Sequence, residues 1–253
     1  MVMGLPGGPG LVAMRRPPAA VELRAFLLTL RHAAPDRLTQ CGQWGVHELV
    51  AHLAAGALEL AGLLEARTSR PTRDFSEREE PFRTLGDGAL RRALVVEGLR
   101  LADAIERRSA PVMFTGRLLT VDQVITHVRS ELVLHRWDIT GGDDIDEHAL
   151  ADPALVAHVI ECVQPMEPRV LPPLPWAARA GSVALHSDGA PDVVVATKDG
   201  HRHLRFAGPG DLAPERVRLH PAARTLILWG RQPPETLLPG PTEIDGVPGR
   251  PSE

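Results

Sequence analysis

The sequence predicts an α+β chain, with an all-α N-terminal bundle followed by a small C-terminal α/β domain. Between residues 20 and 164 the apolar residues recur at i, i+3, i+4 and i+7, the period of amphipathic helices. From residue 181 the pattern changes to short runs rich in β-branched residues, separated by Gly, Asp and Pro, as strands and tight turns require. A Pro-rich join, QPMEPRVLPPLPW, lies between the two. The expected layout is a disordered extension over 1–18, a helical domain over 19–165, a small α/β domain over 172–245 and a tail over 246–253.

The opening MVMGLPGGPGLVAMRRPPAA lacks the apolar core of a secretion signal. Its glycines precede no helix in a strand–loop–helix context, so no phosphate loop is expected. Pro17 and Pro18 lead into a first helix, about Ala20 to His32, which Pro35 ends. A second helix spans about Val46 to Ala66, with Val46, Leu49, Val50, Leu53, Ala57, Leu60 and Leu64 along one side. His52 lies on the flank of that face, one turn before Gly56, whose missing side chain leaves space beside it. The run HELVAH resembles the zinc-protease H-E-x-x-H, but His47 and His52 are five apart and point about 140° apart on a helix. They cannot share a metal, and His47 is expected to face solvent.

Residues 67–86 read as a long charged connection, of a kind that often borders a site. A third helix covers about Asp87 to Arg107, and SAPVMFTGRLL reads as a short loop into the fourth. That fourth helix, Thr120 to Asp138, has the clearest boundaries. Thr120 and Gln123 form a capping box, and Gly141 and Gly142 follow its other end. Val121, Val124, Ile125, Val128, Leu132 and Ile139 share its apolar face. Directly beside them run His127, Glu131, His135 and Asp138. Charged groups at the margin of a core are costly unless paired or bound to a metal, and imidazole and carboxylate one turn apart suit zinc. A rim of mutually hydrogen-bonded side chains would explain the same stripe without metal. A fifth helix is expected over about Pro153 to Gln164. Three strand-like runs follow, with turns at Asp188-Gly189 and Asp199-Gly200, the second a plausible hairpin, and then a helix over 221–229.

Composition narrows the function classes. With 28 basic against 32 acidic residues the net charge is −4, so no global field draws nucleic acid or a membrane surface. No apolar run reaches the roughly 18 residues of a membrane span. Cys41 and Cys162 are far apart and give no disulfide framework, which fits a reducing cytosol. A soluble cytoplasmic protein, monomer or homodimer, is expected.

WGVHELVAHLAAG, ELVLHRWDITGG and LILWGRQPPE together resemble the mycothiol-dependent maleylpyruvate isomerase family over most of residues 20–245. The resemblance implies a DinB-like four-helix bundle carrying a metal, followed by a sterol-carrier-like α/β domain. It places the metal ligands on His52, Glu131 and His135, with His127 an alternative to Glu131. Asp138 becomes a partner that orients a ligand or pairs with an Arg. Three protein ligands leave a position open, as in catalytic zinc sites. The implied cofactors are Zn2+ or another divalent metal, with mycothiol as thiol cosubstrate. The implied partners are a low-molecular-weight thiol and a small electrophile, in cis/trans isomerisation or thiol S-transfer, in an actinobacterial-type cytosol. Arg231, in W-G-R, is expected to bind a substrate carboxylate or to close the small domain. Two other readings stand beside this one: a zinc-stabilised binding or regulatory module without turnover, and a metal-free bundle with a satisfied polar stripe.

Overall fold

The structure, a computed structural model, describes residues 19–68, 74–114, 116–163, 182–198, 201–209, 211, 216–231 and 244–245. The expected N-terminal extension, the C-terminal tail and the second turn, at 199–200, lie outside the described residues. Four helices build the N-terminal part: α1 (Ala20–Leu30), α2 (Val46–Leu64), α4 (Asp87–Arg107) and α5 (Val121–Thr140). Helix α2 packs along α4, and α1 along α5. By length and composition α2 could pass for a membrane span, contrary to the expectation that no such run exists. Its apolar side nevertheless lies in the bundle core with Phe26, Leu30, Leu90 and Leu94.

Helix α5 begins and ends as its sequence requires. Thr120 Oγ1 accepts from Gln123 N at 3.2 Å, Gln123 Oε1 accepts from Thr120 N at 2.9 Å, and Gly141 turns out of the helix at φ 79°. Its apolar side is less simple than a one-sided pattern implies. Leu132 and Ile139 enter the bundle core, whereas Val133, Leu134 and Trp137 enter a second core with Leu155, Val193, Val217 and Leu226. Every residue from Leu132 to Ile139 is consequently buried.

Three elements were not legible in the sequence. The connection 67–86 contains α3 (Phe75–Arg83), whose N-cap Asp74 accepts from Ser76 N at 2.8 Å and Glu77 N at 3.3 Å. The expected loop before α5 holds a hairpin, β1 (Val112–Phe114) against β2 (Arg117–Leu119). After α5 comes α6 (Asp144–Leu150), whose N-cap Asp143 is held by buried Arg136 at 2.8 and 2.6 Å. Asp74→Ala should cost about 1 kcal/mol in thermal stability, the usual worth of an N-cap. An unchanged melting temperature would show that α3 is held by packing alone.

The fifth expected helix appears as α7 (Pro153–His158) running into a π-turn, Val159–Val163. Beyond it a five-stranded sheet has the order β5 (His201–Phe206), β4 (Ala190–Lys198), β3 (Ser182–Ser187), β6 (Arg216–Arg218) and β7 (Ile244–Asp245). Strand β3 (Ser182–Ser187) pairs antiparallel with β4 (Ala190–Lys198) across Asp188-Gly189, where Gly189 has φ 73°, so the first expected turn is a hairpin. Strand β4 pairs antiparallel with β5 (His201–Phe206), and β3 pairs parallel with β6 (Arg216–Arg218). Strand β7 (Ile244–Asp245) closes the edge. Helix α8 (Pro221–Leu228) packs on β3 and against α6 and α7. Residues directly after α8 thereby reach the C-terminal end of α5.

Candidate metal centre

Helices α2 and α5 bring His52, Glu131 and His135 to one point. One potential donor atom from each lies within 4.8 Å of the other two. Glu131 Oε2 is 3.5 Å from His52 Nε2 and 3.3 Å from His135 Nε2. The four-residue spacing on α5 stacks Glu131 and His135 one turn apart.

The far side of each ring decides what its Nε2 can do. Asp138 Oδ2 lies 2.8 Å from His135 Nδ1, and Glu79 Oε1 lies 2.7 Å from His52 Nδ1. An ionised carboxylate only accepts, so both Nδ1 atoms carry hydrogen. Arg78 Nη2 also approaches His52 Nδ1, at 3.1 Å, but it too is a donor. Its productive contact is with Glu79 Oε1, at 3.2 Å. With hydrogen on Nδ1, an imidazole in its neutral form turns a lone pair toward the same carboxylate oxygen. Three lone-pair donors facing one another repel unless a proton or a metal cation lies among them. The donor set, two imidazoles and a carboxylate, therefore fits zinc or a similar divalent metal.

Electrostatics follow the same geometry. Burial alone would raise the Glu131 carboxyl, but when a proton rather than a metal lies among the donors, hydrogen bonds from protonated His135 and His52 outweigh burial and hold the group well below its ordinary value. Burial alone would lower His135, but Asp138 and Glu131 raise it. Burial opposes ionisation of Asp138, yet His135 and Arg231 keep it low. Arg231 Nη2 and Nε reach the two Asp138 oxygens at 2.9 and 3.2 Å. The bidentate fork expected to hold a substrate carboxylate is thus filled by Asp138, which meets both an imidazole and an Arg. Cys41, His135 and Asp138 form a second cluster of ligand-type residues. The Arg231 guanidinium, 3.7 Å from Cys41 Sγ, makes that position unfavourable for another cation.

His127, the other expected ligand candidate, is directed elsewhere. Its Nδ1 lies 3.2 Å from Nε2 of buried His158, and its ring packs on Phe114 at 5.1 Å. His47, expected to face solvent, is half-buried and its Nε2 donates to the Arg83 carbonyl at 3.0 Å. Sequence reasoning missed Glu79, fully buried on α3 and held by Arg83 at 2.6 Å. Trp44, which opens the WGVHELVAHLAAG motif, was given no role there, and its ring lies 5.1 Å from that of His52. Beside these residues opens a cavity of about 730 Å³ walled by α1, α2, α4 and α5, with His52, Glu131 and His135 in its lining.

A family model described as the mycothiol maleylpyruvate isomerase N-terminal domain matches residues 17–140. Residues 17–140 belong to that family's N-terminal domain. His52, Glu79, Glu131, His135 and Asp138 all fall inside the maleylpyruvate isomerase-type domain, whereas Arg231 reaches it from outside. Among solved structures, the mycothiol-dependent maleylpyruvate isomerase is similar at 17% identity and a TM-score of 0.60, over 89% of this chain and 90% of that one. A histidine-to-alanine mutant of that enzyme is similar at 18% identity and a TM-score of 0.59, with the same coverage. At these identities the likeness is one of fold, and it extends past the family domain into the C-terminal part. No curated protein matches the chain by sequence.

Proposed function

We propose that the chain is a metal- and mycothiol-dependent enzyme that adds a low-molecular-weight thiol to an electrophile, as an isomerase or an S-transferase. Its metal ligands are His52, Glu131 and His135. The single observation that carries this is the convergence of two imidazole Nε2 atoms on one carboxylate oxygen, with a carboxylate against the opposite nitrogen of each ring. A divalent metal bound there supplies a thiolate at neutral pH by lowering the pKa of the thiol it takes up.

The chain's own residues do the rest. Asp138 and Glu79 hold the two imidazoles in the tautomer and orientation that present Nε2, the role outer carboxylates play around metal-binding histidines. Arg231 keeps Asp138 ionised and in place, so it acts through Asp138 as a positioning residue. The cavity beside Trp44 holds the electrophile and limits water around the reacting atoms. Thiolate addition to an alkene conjugated to a carbonyl forms a C–S bond and moves the alkene electron pair toward the carbonyl. The former double bond then rotates, and expulsion of the thiolate restores the alkene in the trans geometry. An electrophile with a leaving group would instead keep the sulfur.

Metal analysis of purified protein, with turnover of maleylpyruvate and of a panel of other electrophiles in the presence of mycothiol, tests the proposal. About one divalent metal per chain and thiol-dependent turnover of at least one electrophile are expected. Protein that purifies metal-free and takes up no added zinc would refute it. A stoichiometric metal with no turnover of any electrophile would favour a structural zinc module.

A further inference from the structure

The cavity beside the donor cluster is far more apolar than a small dicarboxylate would need. Its walls include Leu23, Leu27, Leu60, Leu94, Leu101 and Ile105. Bundle interiors are normally filled by side chains to crystal-like density, so a space of about 730 Å³ needs a cause. Two glycines supply part of it. A Cβ built at Gly56 of α2 would meet nothing within 4 Å, and one at Gly98 of α4 would meet only Leu23 Cδ2, at 3.8 Å. Apolar residues continue to the mouth, where Leu28 and Leu99 are exposed at 46% and 61%. In the wall, Arg78 and Glu59 are paired with each other at 3.3 Å. Arg24 on α1 and Arg31 directly after it line the cavity from exposed positions.

We infer that the electrophile handled at this site carries an extended apolar chain or ring system, seated between α1 and α4, with its reactive carbon toward His52, Glu131 and His135. This rests on the enzymatic reading above and narrows its substrate class. A small polar electrophile would leave the leucine walls in contact with water. An apolar group of roughly 10 carbons would cover them, and the volume lies within the roughly 300–1,000 Å³ of small-molecule sites. The exposed arginines suit an acid group left at the entrance.

The test titrates straight-chain carboxylates of four to twelve carbons into zinc-loaded full-length protein by calorimetry. Affinity should rise about two- to fourfold per added methylene until the cavity is full. Gly98→Leu fills the space from α4, and leucine is the better helix former, so the variant should fold. It should bind the ten-carbon acid at least about tenfold more weakly while keeping its metal, and Ala102→Leu, one turn along, should act in the same direction. His135→Ala should lose metal but retain the chain-length dependence. Affinity independent of length, or an undiminished length dependence in both filled variants, would overturn the inference. Length dependence in a protein that neither takes up metal nor turns over thiol would overturn the enzymatic reading and uphold the cavity's apolar selectivity.

Discussion

His135→Ala should weaken zinc binding by more than about 100-fold and remove thiol-dependent turnover, because one truncation disturbs several linked side chains. The imidazole faces Glu131 through Nε2 and Asp138 through Nδ1, and Asp138 is in turn gripped by Arg231. Truncation removes one of three donors and leaves a buried carboxylate with Arg231 as its remaining charged partner. Asp138→Asn is the graded comparison. The amide oxygen can still accept from Nδ1, but the charge that fixes the ring is gone, so a loss of about 10- to 100-fold in metal affinity is expected. Zinc competition titrations on the two variants give the order wild type, Asp138→Asn, His135→Ala. Equal affinities across the three would exclude this cluster as the metal site.

Acid should destabilise the protein through His158. Burial withdraws this imidazole from water, and the adjacent His127 opposes a second positive charge, so its pKa falls from the ordinary 6.5 to about 3. Glu131 pulls the other way and is outweighed. The unfolded chain therefore takes up a proton that the folded chain refuses. Stability from this residue is complete above about pH 6.5 and is lost as pH falls from there toward about 3. At pH 5 the loss is about 2 kcal/mol, from 1.36 kcal/mol per unit. Other groups titrate in the same range, so the comparison is with His158→Gln, which keeps a polar side chain near His127 but cannot ionise. Urea midpoints at pH 7 and pH 5 should show the variant losing about 2 kcal/mol less than wild type. Parallel losses in the two proteins would show that His158 does not carry the acid sensitivity.

The parts of the site that could be read in the sequence are those set by local rules. Thr120, Gln123 and Gly141 delimit α5, and spacing by four aligns His127, Glu131 and His135 whatever the helix packs against. The partner of His52 could not be read in this way. Glu79 sits in a charged segment with Pro81 inside its helix, and neither propensity nor hydrophobic period marks α3. Asp74 followed by Glu77 was the available signal, an N-terminal helix signature without the apolar run that usually follows it. The hairpin before α5 was hidden by its three-residue strands, although Gly116, at φ 83°, is where its turn needs a left-handed residue. The complete burial of Leu132 to Ile139 depends on a second core assembled from residues 150–229. A periodicity argument looks for one buried side and stops there. For the same reason the sequence alone directs Arg231 toward a substrate: nothing local says that Asp138 will be waiting for it.

The grip of Arg231 on Asp138 ties the orientation of the His135 imidazole to the seating of the sheet-bearing half of the molecule. Any event that lifts that half away, whether heat, denaturant or a competing partner, frees His135 to turn and loosens whatever it holds. Conversely, an ion captured between α2 and α5 would act as a clasp on a joint formed by chain segments almost 100 residues apart. Metal loading and the docking of the two halves would then be one equilibrium seen from two ends, and a probe of either would report on both.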